Sequence, residues 1–243
     1  MVPFTHTLRG LGALLAYPDE QLLAALPSLR DWVAQDPRLT HERAALLALL
    51  SRLDAGDDID ALLDVQEAYV ETFDRGRSTS LSLFEHVHGD SRDRGQAMVD
   101  LLGMYEKAGL AFATTDLPDY LPAFLEYASM LDEKAAMKLL AEVDHILEAI
   151  GSALARRGSP HAAVLASLLR LAGAADPAER IRPEAVEDDS SFEAIDRAWA
   201  EVPVNFGAVG GGALGDAAGM ASGCSPQSNQ PRTQTVRVVR RAA

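Results

Sequence analysis

Apolar residues recur along most of this chain at spacings of three and four, which gathers side chains on one face of a helix. Leu8, Leu11, Leu14 and Leu15 form one such set, Leu46, Leu47, Leu50 and Leu53 a second, and Leu62, Val65, Tyr69 and Phe73 a third. No proline lies between Pro37 and Pro118 or between Pro122 and Pro160. An interior proline costs a helix about 3 kcal/mol, so long helices are free to form in both stretches. Strict alternation of β-branched residues occurs only in Thr235-Val236-Arg237-Val238-Val239, near the C-terminal end. The pattern predicts helices at 5–16, 19–35, 38–54, 58–73, 91–109, 119–131, 133–156 and 159–172. Asp58, Ser91 and Ser159 are favourable N-cap types, Pro160 suits a first helical position, and Gly109 suits a C-terminal stop. The expected fold is all-α: a single compact helical domain over 1–172.

The character changes after Leu171. Residues 176–201 hold nine acidic side chains against three arginines, the composition of a solvated segment. Seven of the 18 glycines then fall within 207–223, where they raise chain entropy and leave few side chains to pack. Residues 173–243 are therefore expected to form an acidic and then glycine-rich, largely disordered tail, a linker rather than a second binding site.

The charge follows this division. The net of −14 on 243 residues separates into −11 before position 176, −6 over 176–201 and +3 beyond, so acidity belongs to the helical domain itself. An acidic surface argues against a nucleic-acid partner, which requires Lys and Arg to replace counterions, and suits a basic protein segment. The single cysteine, Cys224, cannot form an internal disulfide, and no Cys/His set has zinc-finger spacing. The chain therefore reads as reduced and cytoplasmic. No apolar run approaches the roughly 20 residues that span a bilayer, and the first residues lack the features of a secretory leader. No stable membrane insertion is expected.

The densest polar stretch is 69–94, which carries Asp74, Arg75, Arg77, Glu85, His86, His88, Asp90, Arg92, Asp93 and Arg94 around Gly76 and Gly89. Four chemistries compete for it. A metal site would use His86, His88 and Asp90, but the i, i+2 spacing aligns the imidazoles only in an extended segment, and Asp144-His145 offers no helical partner pair. Local hydrogen bonding of the histidines in a loop is the simpler reading. Arg75, Arg77, Ser78 and Thr79 could hold an anion, although no glycine-rich phosphate loop stands anywhere. Nucleophilic catalysis has no GxSxG, and Cys224 lies in the glycine-rich tail. The fourth reading is a partner-binding rim, a polar loop flanked by Phe73, Leu81, Leu83 and Phe84 of exposed type. A second unusual segment, 116–127, places Pro118 before a helix start and Pro122 in its first turn, which reads as a helix start or as a hinge.

These two segments resemble a known family. Phe73-Asp74-Arg75-Gly76, Leu83-Phe84-Glu85-His86-Val87-His88-Gly89, Ser91-Arg92-Asp93-Arg94 and Leu117-Pro118-Asp119-Tyr120-Leu121-Pro122 are similar to the NarJ-type nitrate reductase molybdenum cofactor assembly chaperones, within the wider TorD/DmsD redox-enzyme maturation group. The likeness covers about 1–172, is dense over 69–127, and extends weakly to 199–206. It implies an all-helical cytoplasmic protein without catalysis of its own and with no permanently bound cofactor. Such a protein binds the apo catalytic (alpha) subunit of nitrate reductase, partly through that subunit's N-terminal segment, until molybdenum bis-guanine dinucleotide is inserted. Cofactor-synthesis proteins are candidate further partners. The wider group's Glu-Pro-x-Asp-His hinge motif is not reproduced: the aligned stretch, Leu117-Pro118-Asp119-Tyr120, lacks the Glu and the His, so a nucleotide role is not carried over. On this reading Phe73, Asp74, Leu83, Phe84, Glu85, His86 and His88, with Pro118, Asp119, Tyr120 and Pro122, line or support a client groove. A generic helical adaptor and a metal- or nucleotide-dependent helical enzyme are the alternatives.

Overall fold

The computed structural model of the chain describes residues 3–56, 58–89, 91, 93–112, 117–185, 189, 191, 193–194 and 238–240. Its first four helices are α1 (Phe4–Ala13), α2 (Glu20–Gln35), α3 (Arg43–Leu53) and α4 (Ile59–Phe73). There follow α5 (Leu83–His88), α6 (Asp93–Lys107), β1 (Leu110–Phe112), α7 (Leu121–Ala128), α8 (Glu133–Glu142), α9 (Asp144–Arg156), α10 (Ala162–Leu171), α11 (Pro177–Arg180) and β2 (Val238–Arg240). Single 3₁₀ turns stand at Pro37–Leu39, Arg77–Thr79 and Pro183–Ala185.

The helices start where short polar side chains can satisfy free N–H groups. Asp19 accepts from the Leu22 N–H at 2.8 Å, Asp58 from Asp60 at 2.9 Å, and Asp132 from Ala135 at 3.0 Å. The apolar stripes then decide the packing: α1 lies along α7, α9 along α10, and α2 against α3, with α10 reaching α3 and α8. Leu8, Leu11, Leu14 and Leu15, read as one face, are buried together with Leu46, Leu49 and Leu50 of α3, Leu121 and Leu125 of α7, Leu147 and Ile150 of α9, and Leu165 and Leu168 of α10. Each such side chain contributes about 1.5–3 kcal/mol on leaving water. A buried polar knot ties the first two helices, where the Thr7 hydroxyl donates to Asp36 at 2.5 Å and Trp32 Nε1 to the same carboxylate at 3.3 Å.

The all-α expectation holds, and several boundaries move. The span 133–156 is two helices, because the backbone turns at Val143 (φ −109°, ψ 9°) so that Leu140 and Ile146 can both enter the core. No glycine or proline marks that turn in the sequence. The span 38–54 opens with a 3₁₀ turn capped by Asp36, and its helix begins only at Arg43. The last long helix begins at Ala162, not at Pro160. The presumed loop before residue 91 contains α5.

Strand structure among the described residues is one antiparallel pair, Leu110–Phe112 with Val238–Arg240, which uses part of the alternating C-terminal segment. After residue 172 the chain stays on the helical body for some length. Pro177 is buried, Arg180 holds Asp144 at 2.7 Å and Glu148 at 2.7 Å, and the Arg182 N–H donates to Ser152 Oγ at 2.9 Å. The glycine-rich stretch 207–223, Cys224 and the segment 199–206 lie outside the described residues.

Candidate functional site

The two segments singled out in the sequence lie side by side. Leu83 N–H donates to the Asp119 carbonyl at 3.0 Å, Leu121 N–H to the Leu81 carbonyl at 2.8 Å, and Ser82 and Tyr120 form an antiparallel bridge. The Asp119 carboxylate completes the junction by accepting the Phe84 N–H at 2.9 Å, in the first turn of α5. Asp119 is wholly buried and its Oδ1 has no hydrogen-bond partner among the described residues. Burial pushes its pKa up, while the Phe84 N–H and the charge of Arg94 act against that rise. Tyr105, itself buried, donates to the Pro118 carbonyl at 2.8 Å and fixes the turn from below.

Around this junction the polar side chains bind one another. Glu85 accepts from the Ser80 hydroxyl at 2.6 Å and lies 3.4 Å from Arg77 Nε. His86 Nε2 donates to the Ser80 carbonyl at 2.8 Å, and the His88 ring stands edge-on to Phe84 at 5.7 Å. Both histidines sit in α5 rather than in an extended loop, so the helical turn sends them about 200° apart. Asp90 and Arg92 lie outside the described residues. Among the described residues no group of three His, Cys, Asp or Glu side chains is arranged to hold a metal ion.

The rim reading is corrected in one respect. Phe73, Leu81 and Leu83 are 5%, 4% and 1% exposed and belong to the core, so only Phe84 of that set meets the surface. Phe73 stacks between Tyr69 at 4.7 Å and His161 at 5.0 Å. Asp74 ends α4 and is exposed as a residue, yet its carboxyl is crowded enough that burial raises its pKa. Pro118 and Pro122 are buried and Tyr120 is half-buried.

Tyr120 and Pro122 lead to a surface that sequence reasoning missed. With Arg9, Gly12, Ala13, Ala16 and Tyr17 of α1 and the turn after it, Leu22 and Ala25 of α2, and Glu126 of α7, they line an open cavity of about 280 Å³. Small residues at 12, 13 and 16 leave a channel that a helix or an extended chain can approach closely. Tyr69 holds its end in place, with its hydroxyl donating to the Leu15 carbonyl at 2.9 Å and 3.1 Å from the Tyr120 hydroxyl. Arg9 lies 4.0 Å from Glu126, whose pKa burial raises against the pull of that arginine. The available signal was the cluster of small residues Gly12, Ala13 and Ala16 at the end of α1 and in the turn after it.

Across α2 a second recess of about 470 Å³ is lined by Leu23, Ala24, Ile59 and Leu62 together with Glu20, Asp54 and Asp58. Ile59, Leu63 and Val70 are exposed at spacings that place them along one face of α4, among Asp60, Asp64 and Glu67. Apolar ground with acidic neighbours on both sides of α2 suits a basic amphipathic segment.

A family model described as nitrate reductase delta subunit matches residues 21–167. The chain is 42% identical over 202 residues to the probable nitrate reductase molybdenum cofactor assembly chaperone NarW of Escherichia coli K12, covering 82% of this chain and 83% of that protein. It is 40% identical over 197 residues to the nitrate reductase molybdenum cofactor assembly chaperone NarJ of the same strain, covering 79% and 81%. The probable NarJ of Bacillus subtilis 168 is 33% identical over 165 residues, covering 67% and 86%.

Proposed function

We infer the role of this chain from its kinship and its surface: it belongs to the nitrate reductase delta subunit family, and it acts as an assembly chaperone for a nitrate reductase. Its client is the catalytic (alpha) subunit before the molybdenum cofactor, as the bis-guanine dinucleotide, is inserted. The cofactor is cargo of the client, and the chaperone itself performs no catalysis. It works in the cytoplasm, and no helix among the described residues is long and apolar enough to cross a membrane.

The observation that carries the reading is the channel between α1, α2 and Tyr120-Leu121-Pro122. The client's N-terminal segment seats its apolar face against Ala13, Ala16 and Leu22, and the acidic recess on the far side of α2 steers its basic residues. The junction of 81–84 with 119–121 holds Tyr120 at the channel end, which gives Asp119, Leu83 and Pro118 a supporting role and leaves Phe84, Glu85, His86 and His88 as neighbouring surface. Holding followed by release requires moderate affinity, on the order of micromolar.

Calorimetric titration of the full chain with a peptide of the client's N-terminal segment tests the seat. Filling the channel with Ala13→Trp and Ala16→Trp is expected to weaken binding at least tenfold, and unchanged affinity would move the client elsewhere. The role itself is tested by deleting the gene and measuring molybdenum in the nitrate reductase that accumulates. Fully loaded enzyme in the deletion strain would refute it.

A further inference from the structure

Arg9 and Glu126 stand at one end of the channel, where α1 meets the end of α7. The two helices run antiparallel along it. Arg9 Nε donates to Ser129 Oγ at 3.2 Å, and a turn further along α1 a Cβ on Gly12 would lie 3.5 Å from the Pro122 carbonyl oxygen. Glu126 follows Pro122 by four residues, so the two share the face of α7 that lines the channel.

The Glu126 carboxylate is poorly matched where it stands. Its side chain is only 30% exposed, yet its one ionic partner among the described residues, Arg9 Nη2, lies 4.0 Å away, beyond hydrogen-bonding distance. Arg9 is not free to close in, because its Nε is bound to Ser129 Oγ, which itself donates to the Glu126 carbonyl at 2.6 Å. The other carboxylate of the lining, Asp19, is engaged in capping α2 through the Leu22 N–H. Burial raises the Glu126 pKa despite the pull of Arg9, as befits a carboxylate whose lost hydration is not made up within the chain.

A carboxylate in a channel wall, partly out of water and without a hydrogen-bond donor, is a receptor for a cation delivered from outside. We propose that Glu126 is the charge anchor of the channel, a role that rests on the channel being the client's seat: it accepts one lysine or arginine side chain of the client segment and so fixes the segment's register along α1. The client's cation enters on the side of the carboxylate away from Arg9, whose contact is to Oε1. Arg9 then competes for Glu126 rather than holding the client, and the two residues act on binding in opposite directions.

The probe is a peptide of the client's N-terminal segment with an acetylated N-terminus, so that any cation it offers is a side chain, titrated by calorimetry into the full chain. Glu126→Gln is expected to weaken binding about fivefold to tenfold, whereas Arg9→Gln is expected not to weaken it. Replacing the peptide's Lys and Arg residues by Met one at a time is expected to find one position at which the Glu126→Gln loss shrinks to less than about twofold. A peptide with Glu at that position is expected to bind Glu126→Lys better than it binds the wild-type chain. Thermal unfolding checks that each variant keeps its fold. Unchanged affinity in Glu126→Gln, or a loss that no single peptide substitution abolishes, overturns the anchor. Equal weakening by Arg9→Gln and Glu126→Gln would make the pair a structural tie and overturns it too. The tryptophan variants of Ala13 and Ala16 separate the two readings: if they weaken binding while Glu126→Gln does not, the channel stands and the anchor falls, and if they leave affinity unchanged, the channel falls and the anchor with it.

Discussion

The carboxylate of Asp119 accepts the backbone N–H of Phe84 at 2.9 Å, so a residue 35 positions further along the chain caps a helix whose own N-cap, Ser82, contributes no side-chain bond. The bond has two consequences. It supplies an orphan donor of α5, and it locks the segment before Tyr120 against the segment before α5, which sets where Tyr120 stands at the channel end.

Asp119 acts here as an acceptor more than as a charge, since burial disfavours its ionised form. Asp119→Asn keeps an acceptor for Phe84 and is expected to unfold within about 0.5 kcal/mol of the wild-type chain. Asp119→Ala leaves a buried N–H without its partner and is expected to cost about 1–3 kcal/mol. Urea unfolding of both variants checks this, and equal losses would show that the carboxylate's charge, not its acceptor, matters.

His161 makes stability fall in mild acid. It is 7% exposed, its Nδ1 lies 3.1 Å from Ser159 Oγ, and burial depresses its pKa from 6.5 to about 4. Above pH 6.5 the ring is neutral in folded and unfolded chains alike, and its contribution is complete. As pH falls from 6.5 towards about 4, the unfolded chain takes up a proton that the folded chain refuses, at a cost that grows to about 3 kcal/mol. His161→Phe, which keeps a ring against Phe73, is expected to flatten stability over that window. An unchanged slope would assign the acid sensitivity to other groups.

Gly10 is a helix position where alanine should do harm. A Cβ there would meet Trp32 ring atoms at 2.6 Å, and the same ring donates from Nε1 to Asp36. Alanine raises helix propensity by about 1 kcal/mol, but forcing the indole aside is expected to cost more, leaving a net loss of about 1–2 kcal/mol. Thermal unfolding measures the loss, and a shift in tryptophan emission reports the displaced ring.

Tyr69 links the core to the channel end. Tyr69→Phe removes the donor to the Leu15 carbonyl and the contact with the Tyr120 hydroxyl, and is expected to cost about 1–2 kcal/mol and to weaken client-peptide binding severalfold. Tyr120→Phe, which spares the Leu15 bond, is expected to cost less than about 1 kcal/mol. If the two variants lose equal stability, the Leu15 bond is not the anchor.

The sequence by itself determined the all-α class, the core faces of α1, α3 and α4, the cap at Asp58, and the family to which the chain belongs. Helix periodicity and capping are local, set by residues within a few positions of each other, so they are legible without knowing what packs on what. Family membership was legible for a related reason, because strings such as Phe73-Asp74-Arg75-Gly76 stay contiguous in the chain. The tertiary structure alone decided that residues 81–84 zip to 119–121, that Phe73, Leu81 and Leu83 are core rather than rim, that Val143 divides two helices, and that Asp189 returns to Ser78 and Arg157. Each of these joins groups far apart in the chain, or weighs a local preference against the burial of apolar area. Which partner is met depends on how whole helices dock, so no window of neighbouring residues encodes it.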